Sequence, residues 1–211
     1  RNPLTGIATS VEVLGSKLQD DPEKIKYIRV ILEEINRLNE TIRSLLNFAR
    51  PTKPRINSFA LTELSQRVVN LLSDEAQKKG ISLEVQDELK SKVCSADVNQ
   101  LTQVLLNLVL NSIQACNRGD SVTMVLRNEQ NVDAGEAGFA RIDVIDSGIG
   151  VPSEIRDVLF EPFVTTKTHG TGLGLAISQQ IVEEHHGQIS CEFLKKGTRF
   201  SVRLPIGPRH T

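Results

Sequence analysis

The sequence predicts an α+β protein: an N-terminal helical hairpin, then an α/β sandwich whose mixed sheet carries helices on one face. Three observations predict it. A heptad seam of apolar residues runs through the first 50 positions, Pro51 and Pro54 interrupt it, and helix-period and strand-period segments alternate over the rest of the 211 residues.

Leu4, Ile7, Val11, Leu14 and Leu18 recur at steps of three and four, and Ile28, Ile31, Ile35, Leu38, Ile42 and Leu45 do the same. That spacing lays one apolar stripe along each of two helices. Between them stands Asp21-Pro22-Glu23. Aspartate caps a helix N-terminus, and proline suits the first turn because its missing N–H has no partner there to lose. The helices should therefore fold back as an antiparallel hairpin. A lone hairpin leaves an apolar face in water, and two hairpins packed as a four-helix bundle bury it. A homodimer is the expectation; packing of the seam on another part of the same chain is the alternative.

The prolines end the helical pattern. Residues 51–56 read as a linker between a domain at 1–50 and one at 57–211. Within the second, residues 61–79 have helical periodicity and stop at Gly80, a residue suited to a C-terminal cap. Strand alternation follows at 81–85, a helix at 97–116, and strands around Val122–Leu126 and Ile142–Val144. Residues 172–186 read as a helix stopped by Gly187. Two last strands, around Ile189–Phe193 and Phe200–Leu204, flank the turn Lys195-Lys196-Gly197, so the sheet contains an antiparallel hairpin. Asn128 to Gly138 is polar and reads as a long hairpin loop.

Composition removes several functional classes. A formal net charge of −1, no Trp and one Tyr argue against a nucleic-acid binder, which needs basic surface and stacking platforms. No apolar run reaches the roughly 18 residues of a membrane helix, and no signal peptide is visible. Cys94, Cys116 and Cys191 are scattered without metal-site spacing and read as reduced core thiols of a cytoplasmic protein.

Four features carry the chemistry. On the helix at 97–116, Leu101, Val104, Leu105, Leu108 and Ala115 form the apolar stripe, while Gln100, Gln103, Asn107, Asn111 and Gln114 share the opposite face. Asparagine inside a helix is intrinsically unfavourable, and a solvated face ordinarily uses Glu and Lys. An uncharged amide face suits coordination of a metal–phosphate group. Next, Asp146-Ser147-Gly148-Ile149-Gly150 follows a strand directly. A carboxylate there can accept from an exocyclic amine, and the glycines admit a flat ligand; a β-turn with a capping Asp is the plain alternative. Third, Gly170-Thr171-Gly172-Leu173-Gly174-Leu175 opens a helix, where backbone N–H groups and the dipole favour phosphate. It lacks the preceding strand of a dinucleotide fingerprint and the Lys-Ser/Thr ending of a Walker loop. Last, a lid at about 147–171 carries Phe160-Glu161-Pro162-Phe163 and Lys167. The two Phe read either as a clamp for the lid or as plain core, and Lys167 as a phosphate contact.

Taken together and in this order, these motifs resemble the GHKL-type ATP-binding domain of the sensor histidine kinases of two-component systems. Asn107 to Asn111 looks like the N box, Asp146 to Gly150 the first glycine box, Phe160 to Phe163 the F box, and Gly170 to Gly174 the second glycine box. Gly197-Thr198 resembles a late Gly-Thr at the adenine site. Arg1-Asn2-Pro3-Leu4 looks like the tail of the H box, so the resemblance spans almost the whole chain and is strongest toward kinases of the nitrogen-regulation type. In that family the phosphorylated histidine lies three positions before the Arg, ahead of residue 1. The chain's own histidines, His169, His185, His186 and His210, lie off the hairpin, with His185 and His186 closing a helix as cations would. The chain therefore reads as a fragment without its phosphoacceptor.

The resemblance implies roles. Asp146 would hold the adenine amine with Thr198 nearby, and Gly148 and Gly150 would leave it room. Asn111 would hold Mg2+, with Asn107 in support. Gly170, Thr171, Gly172, Leu173 and Gly174 would wrap the phosphates of ATP, with Lys167 reaching them. Related hydrolases carry Glu where Asn107 stands; an amide is no general base, which favours phosphoryl transfer to a protein over hydrolysis. Asn2 matches a position implied in dephosphorylating the response regulator, the expected partner. Membrane attachment would come only through absent upstream segments. Two other readings stay open: a regulator-docking module with nucleotide as a conformational ligand, and a GHKL ATPase or anti-sigma-type serine kinase.

Overall fold

The computed structural model describes residues 2–19, 21–49, 53–89, 93–129, 138–167 and 170–206, with the backbone alone for Asn2. Arg1, Pro51, His169, His210, the centre of the 128–138 loop and the last residues before Gly170 in the lid lie outside the described residues. The chain divides into units of residues 1–52 and 53–211.

The first unit is the hairpin of α1 (Asn2–Lys17) and α2 (Pro22–Ala49). Asp21 acts as the cap its position implies: its Oδ1 accepts from the Lys24 N–H at 3.2 Å, and its carbonyl accepts from the Ile25 N–H. The seam splits in two. Ile28 and Ile35 are buried and Leu4, Val11 and Leu18 half-buried, whereas Ile7, Leu14, Ile31, Leu38, Ile42 and Leu45 stay exposed at 42–50%. One member of each heptad pair closes the hairpin, and the other is left in water. No helix of the described residues is long and apolar enough to cross a membrane.

In the second unit a five-stranded sheet of order β2-β4-β5-β7-β6 is built from β2 (Ser82–Asp87), β4 (Ser121–Glu129), β5 (Phe139–Asp146), β6 (Gln188–Phe193) and β7 (Thr198–Pro205). β2 runs parallel to β4 and the other neighbours are antiparallel, so the sheet is mixed. Strand alternation decides which face is covered. Val122, Met124 and Leu126, then Ala140, Ile142 and Val144, then Phe200, Val202 and Leu204 are all at most 4% exposed. Each of the large ones contributes about 1.5–3 kcal/mol of burial. Against this face lie α3 (Leu61–Lys79), α4 (Val98–Ala115) and α5 (Gly174–Glu184), with α4 between the other two. The opposite face is polar. Arg127, Arg141 and Arg203 sit in register across three strands, tied by ion pairs to Glu88, Glu129 and Asp143. That explains why helices cover a single face.

The expectation of one sheet needs correcting. A second, two-stranded ribbon pairs β1 (Asn57–Ala60) with β3 (Val93–Ala96). Four-residue strands rich in Ser and Asn give too little alternation to be read. The end of α5 also differs from expectation. The left-handed residue is His186 (φ 57°), while Gly187 passes its N–H to the Val182 carbonyl and lies where a Cβ would strike the Arg203 carbonyl.

Candidate functional site

Asp146 ends β5 on the same parity as Ile142 and Val144, so its carboxylate points into the helix-covered side and is only 2% exposed. Oδ1 accepts from the Gly148 N–H at 3.0 Å and the Thr198 N–H at 3.2 Å. Oδ2 has no hydrogen-bond partner. A buried oxygen left unpaired is expensive, and an amine donor arriving there would relieve it. Burial pushes the carboxyl pKa up; the Gly148 N–H, the Ser112 hydroxyl and the Thr198 N–H pull it down in part, and the Asp120 charge adds to the rise. The Ser112 hydroxyl, beside this carboxylate on α4, has no partner of normal geometry either.

Local chain geometry requires the glycines. A Cβ on Gly148 would stand 2.5 Å from the Ala115 carbonyl, the same carbonyl that accepts the Ile149 N–H. Gly197 (φ +84°) lies so tightly behind Asp146 that any Cβ would overlap its carbonyl oxygen. Gly150 has φ +75° and faces the Gly197 backbone. The loop 147–150 is thereby pressed on the last turn of α4, next to Asn111 and Ser112.

Further back along α4, the amides form a directed relay. Asn111 Nδ2 donates to Asn107 Oδ1 at 3.3 Å, and Asn107 Nδ2 donates to Ser178 Oγ at 2.9 Å. Asn111 Oδ1 is left facing outward and accepts from the Lys167 ammonium at 2.6 Å; the same ammonium bonds Gln114 Oε1. Partial burial of that ammonium, with Lys79 nearby, lowers the Lys167 pKa from the ordinary lysine value. Lys79 itself donates to the Ile113 and Gln114 carbonyls at the end of α4. An amide oxygen that holds an ammonium here is also a hard oxygen ligand for a divalent cation. Among the described residues, no group of three or more His, Cys, Asp or Glu gathers into a metal site.

The lid begins with a 3₁₀ segment over Ser153–Val158 and is anchored by buried Leu159. It closes on the second glycine cluster through one contact. The Phe163 N–H donates to the Gly172 carbonyl at 2.9 Å, and Gly172 (φ +67°) has no room for a Cβ against the Phe163 backbone. Gly170 N–H bonds the Lys167 carbonyl, and Thr171 Oγ1 accepts from the Leu173 N–H. Leu173 is fully buried, and α5 starts at Gly174 with the unpaired first-turn N–H groups of any helix.

Several expectations change here. Phe160 is half-buried and Phe163 is 64% exposed at φ 69°, so neither is core and Phe163 clamps through its backbone, not its ring. Ala115 is half-buried, and the α4 core is completed by Val109 and Ile113. His185 is no helix-end cation. It is fully buried, its Nε2 accepts the Asp97 N–H at 2.9 Å, and Nδ1 donates to the Ile181 carbonyl, which requires a neutral ring. Asp97 caps α4 by accepting from the Asn99 and Gln100 N–H groups, and its Oδ2 takes the Arg55 N–H. Cys94 and Cys116 are buried as expected, but Cys191 is only half-buried. Sequence reading missed Ser112, Gln114 and Ser178, of which only Gln114, one turn from Asn111, carried a periodic signal.

The model of the histidine kinase-, DNA gyrase B- and HSP90-like ATPase family matches residues 96–208, and that of the His Kinase A (phospho-acceptor) domain matches residues 1–54. The chain is 35% identical over 209 residues to the sensor histidine kinase ZraS of Salmonella typhi, covering 98% of this chain and 43% of ZraS. It is 34% identical over 211 residues to the sensory histidine kinase/phosphatase NtrB of Klebsiella oxytoca, covering 98% of this chain and 59% of NtrB. The chain thus spans roughly half the length of the relatives it matches. The crystal structure of histidine kinase ThkA in complex with response regulator protein TrrA superposes with a TM-score of 0.72 at 28% identity, over 97% of this chain and 58% of that one.

Proposed function

The chain belongs to the sensor histidine kinases and carries their ATPase-type domain, and from that premise we propose that it binds Mg·ATP for transfer of the γ-phosphoryl group to a histidine of the dimerisation hairpin and onward to an aspartate of a response regulator. The observation that carries the reading is the buried Asp146 carboxylate, with one oxygen held by two backbone N–H groups and the other unpaired. An adenine amine supplies the missing donor. Gly148, Gly150 and Gly197 keep side chains out of the plane beside it, and Thr198 fixes the carboxylate through its N–H.

The residues present fit a divalent cation of the hard-oxygen type. Asn111 Oδ1 would hold it, with Asn107 fixing the Asn111 amide, and the rest of its ligands would be phosphate and water oxygens. When bound, Mg2+ neutralises phosphate charge in the loose transition state of phosphoryl transfer. Gly170, Thr171, Gly172, Leu173 and Gly174 supply backbone N–H groups at the start of α5 for the phosphates. Lys167, already in reach of Asn111, is placed to pair with them once it leaves that oxygen. Asn107 offers no carboxylate, so nothing at that position activates water, and transfer to a protein side chain is favoured over hydrolysis.

In this reading residues 1–50 form the hairpin, 51–56 the linker and 57–211 the ATP-binding domain with its lid at 147–171. The exposed half of the heptad seam supports a homodimer, and the ThkA–TrrA complex supports a response-regulator partner. The cytoplasm, where ATP and regulators reside, is the matching compartment. The printed kinase/phosphatase activity of NtrB supports a second role for Asn2, orienting water on the regulator's phosphoaspartate. Regulator-phosphate lifetimes measured with wild type and Asn2→Ala test that role; equal lifetimes would remove it.

Calorimetry with ADP and Mg2+ tests the main reading. Wild type should bind, and Asp146→Asn should weaken binding by about a hundredfold or more, because an Nδ2 donor would then face the adenine amine. Retained affinity in Asp146→Asn would overturn it.

A further inference from the structure

We propose that Ser178 is a positioning residue that sets the direction of the α4 amide relay and so turns the Asn111 oxygen toward the metal side of the site. This rests on the nucleotide reading above. Ser178 lies on α5, 2% exposed, outside every motif that points to nucleotide.

The argument follows the protons. The Ser178 hydroxyl has one hydrogen, and it goes to the Gly174 carbonyl at 3.0 Å, one helical turn back. A carbonyl can only accept, so that hydrogen is committed and Oγ is left as an acceptor. Asn107 meets it at 2.9 Å and must therefore present its NH2. Its oxygen then faces the other way, to the Asn111 NH2 at 3.3 Å, and the Asn111 oxygen faces outward. The Lys167 ammonium, which can only donate, sits on that oxygen. A main-chain carbonyl at one end thus dictates which atom of Asn111 meets a cation at the other.

The packing holds this register. A Cβ on Gly174 would overlap Asn107 Oδ1, so the glycine that starts α5 lets the two helices approach closely enough for the Ser178 contact. Without the hydroxyl, the Asn107 amide has no preferred face toward α5. Asn111 then presents NH2 or oxygen alike, and an NH2 repels a metal ion. Outer partners of a ligand typically tune metal affinity by 10- to 100-fold.

The test is calorimetric titration of ADP into the folded protein, once with excess Mg2+ and once with chelator, for wild type, Ser178→Ala and Ser178→Thr. The quantity read is the gain in affinity that Mg2+ brings. Ser178→Ala should lose about tenfold of that gain while the metal-free affinity is little changed. Ser178→Thr, which keeps the hydroxyl, should retain it. An unchanged gain in Ser178→Ala overturns the proposal, and so does an equal loss with and without metal, which would mark a packing defect. Should Ser178→Ala fail to fold, Ser178→Cys, similar in volume but a weak acceptor, replaces it with the same expected direction. A wild type that binds ADP without any Mg2+ gain removes the metal reading itself, a result distinct from any behaviour of the variants.

Discussion

The hairpin and the sheet domain solve the same problem, the burial of apolar side chains, in opposite ways. In the domain the solution is internal. Leu105, Leu108, Met124, Leu126, Ile142 and Leu204 are at most 1% exposed, and α4 is covered by α3, α5 and the sheet. In the hairpin only Ile28 and Ile35 reach burial on α2, and the alternate heptad positions Ile31, Leu38, Ile42 and Leu45 remain 42–45% exposed. The domain carries its stability in itself, while the hairpin's depends on what covers its second seam. That division suits a protein whose catalysis must be precise and whose assembly transmits a signal.

Two truncations would break or sharpen this contrast. Leu126→Ala, at the centre of the sheet, should cost about 2–5 kcal/mol. The loss should be the same at every protein concentration, as read by denaturant unfolding of the domain. Leu38→Ala removes an exposed side chain and should leave the domain's unfolding untouched, while weakening self-association by about 1–2 kcal/mol per chain. Sedimentation over a dilution series should show the dimer dissociating at higher concentration. A Leu38→Ala protein as dimeric as wild type would mean that the seam is covered by something other than a second copy.

A smaller effect distinguishes the two helix caps. Asp97 is buried, caps α4 and also holds the Arg55 N–H. Burial raises its pKa, but the N–H groups of Arg55, Gln100 and Asn99 outweigh that and leave it below the ordinary value. Asp97→Ala should cost about 1–2 kcal/mol at neutral pH, within the upper range for a lost cap. The contribution is present above the ordinary carboxylate pKa and is lost as pH falls through the depressed one. Asp21, exposed on the hairpin and lowered mainly by its bond to Lys24, should matter less. Thermal melts of both alanine variants at neutral pH and below pH 4 separate them.

Much of this was legible in the sequence, for identifiable reasons. The hairpin, α3 with its stop at Gly80 and the β6–β7 turn rest on local periodicity and turn chemistry, which neighbouring residues encode by themselves. Asp146, Asn107 and Asn111 stood out because each is a costly choice for its position, a carboxylate on a buried strand face or asparagine within a helix. The β1–β3 ribbon was hidden because four residues are too few to alternate. His185 misled because a histidine at a helix end looks like a cation until the Asp97 N–H, 88 positions away in sequence, is placed on its Nε2. Ser178 was hidden for the same reason: its significance lies in the proton it sends to Gly174 and the amide it receives from Asn107, contacts that no spacing predicts.

The gentlest test of the contrast is pH, and it turns on Asp146 alone. Burial raises its folded pKa above that of the unfolded chain. Its contribution to stability is therefore fully present below the ordinary carboxylate value and is lost as pH rises through the raised one, so near neutrality the ionised group is a cost to the fold. Nucleotide binding needs that ionised form, since a protonated Oδ2 can no longer accept from an adenine amine. Lowering the pH should therefore weaken ADP binding while the Asp146 contribution to domain stability improves. Asp146→Asn should melt no lower than wild type at neutral pH and lose the pH dependence of both. Parallel melts and titrations between pH 5 and 8, within the window that a raised carboxyl opens above its usual pKa near 4, would show the two trends diverging in wild type. If stability and affinity instead fell together with pH, the carboxylate would be held by a partner in the free protein. Its unpaired oxygen would then not be the feature that selects the ligand.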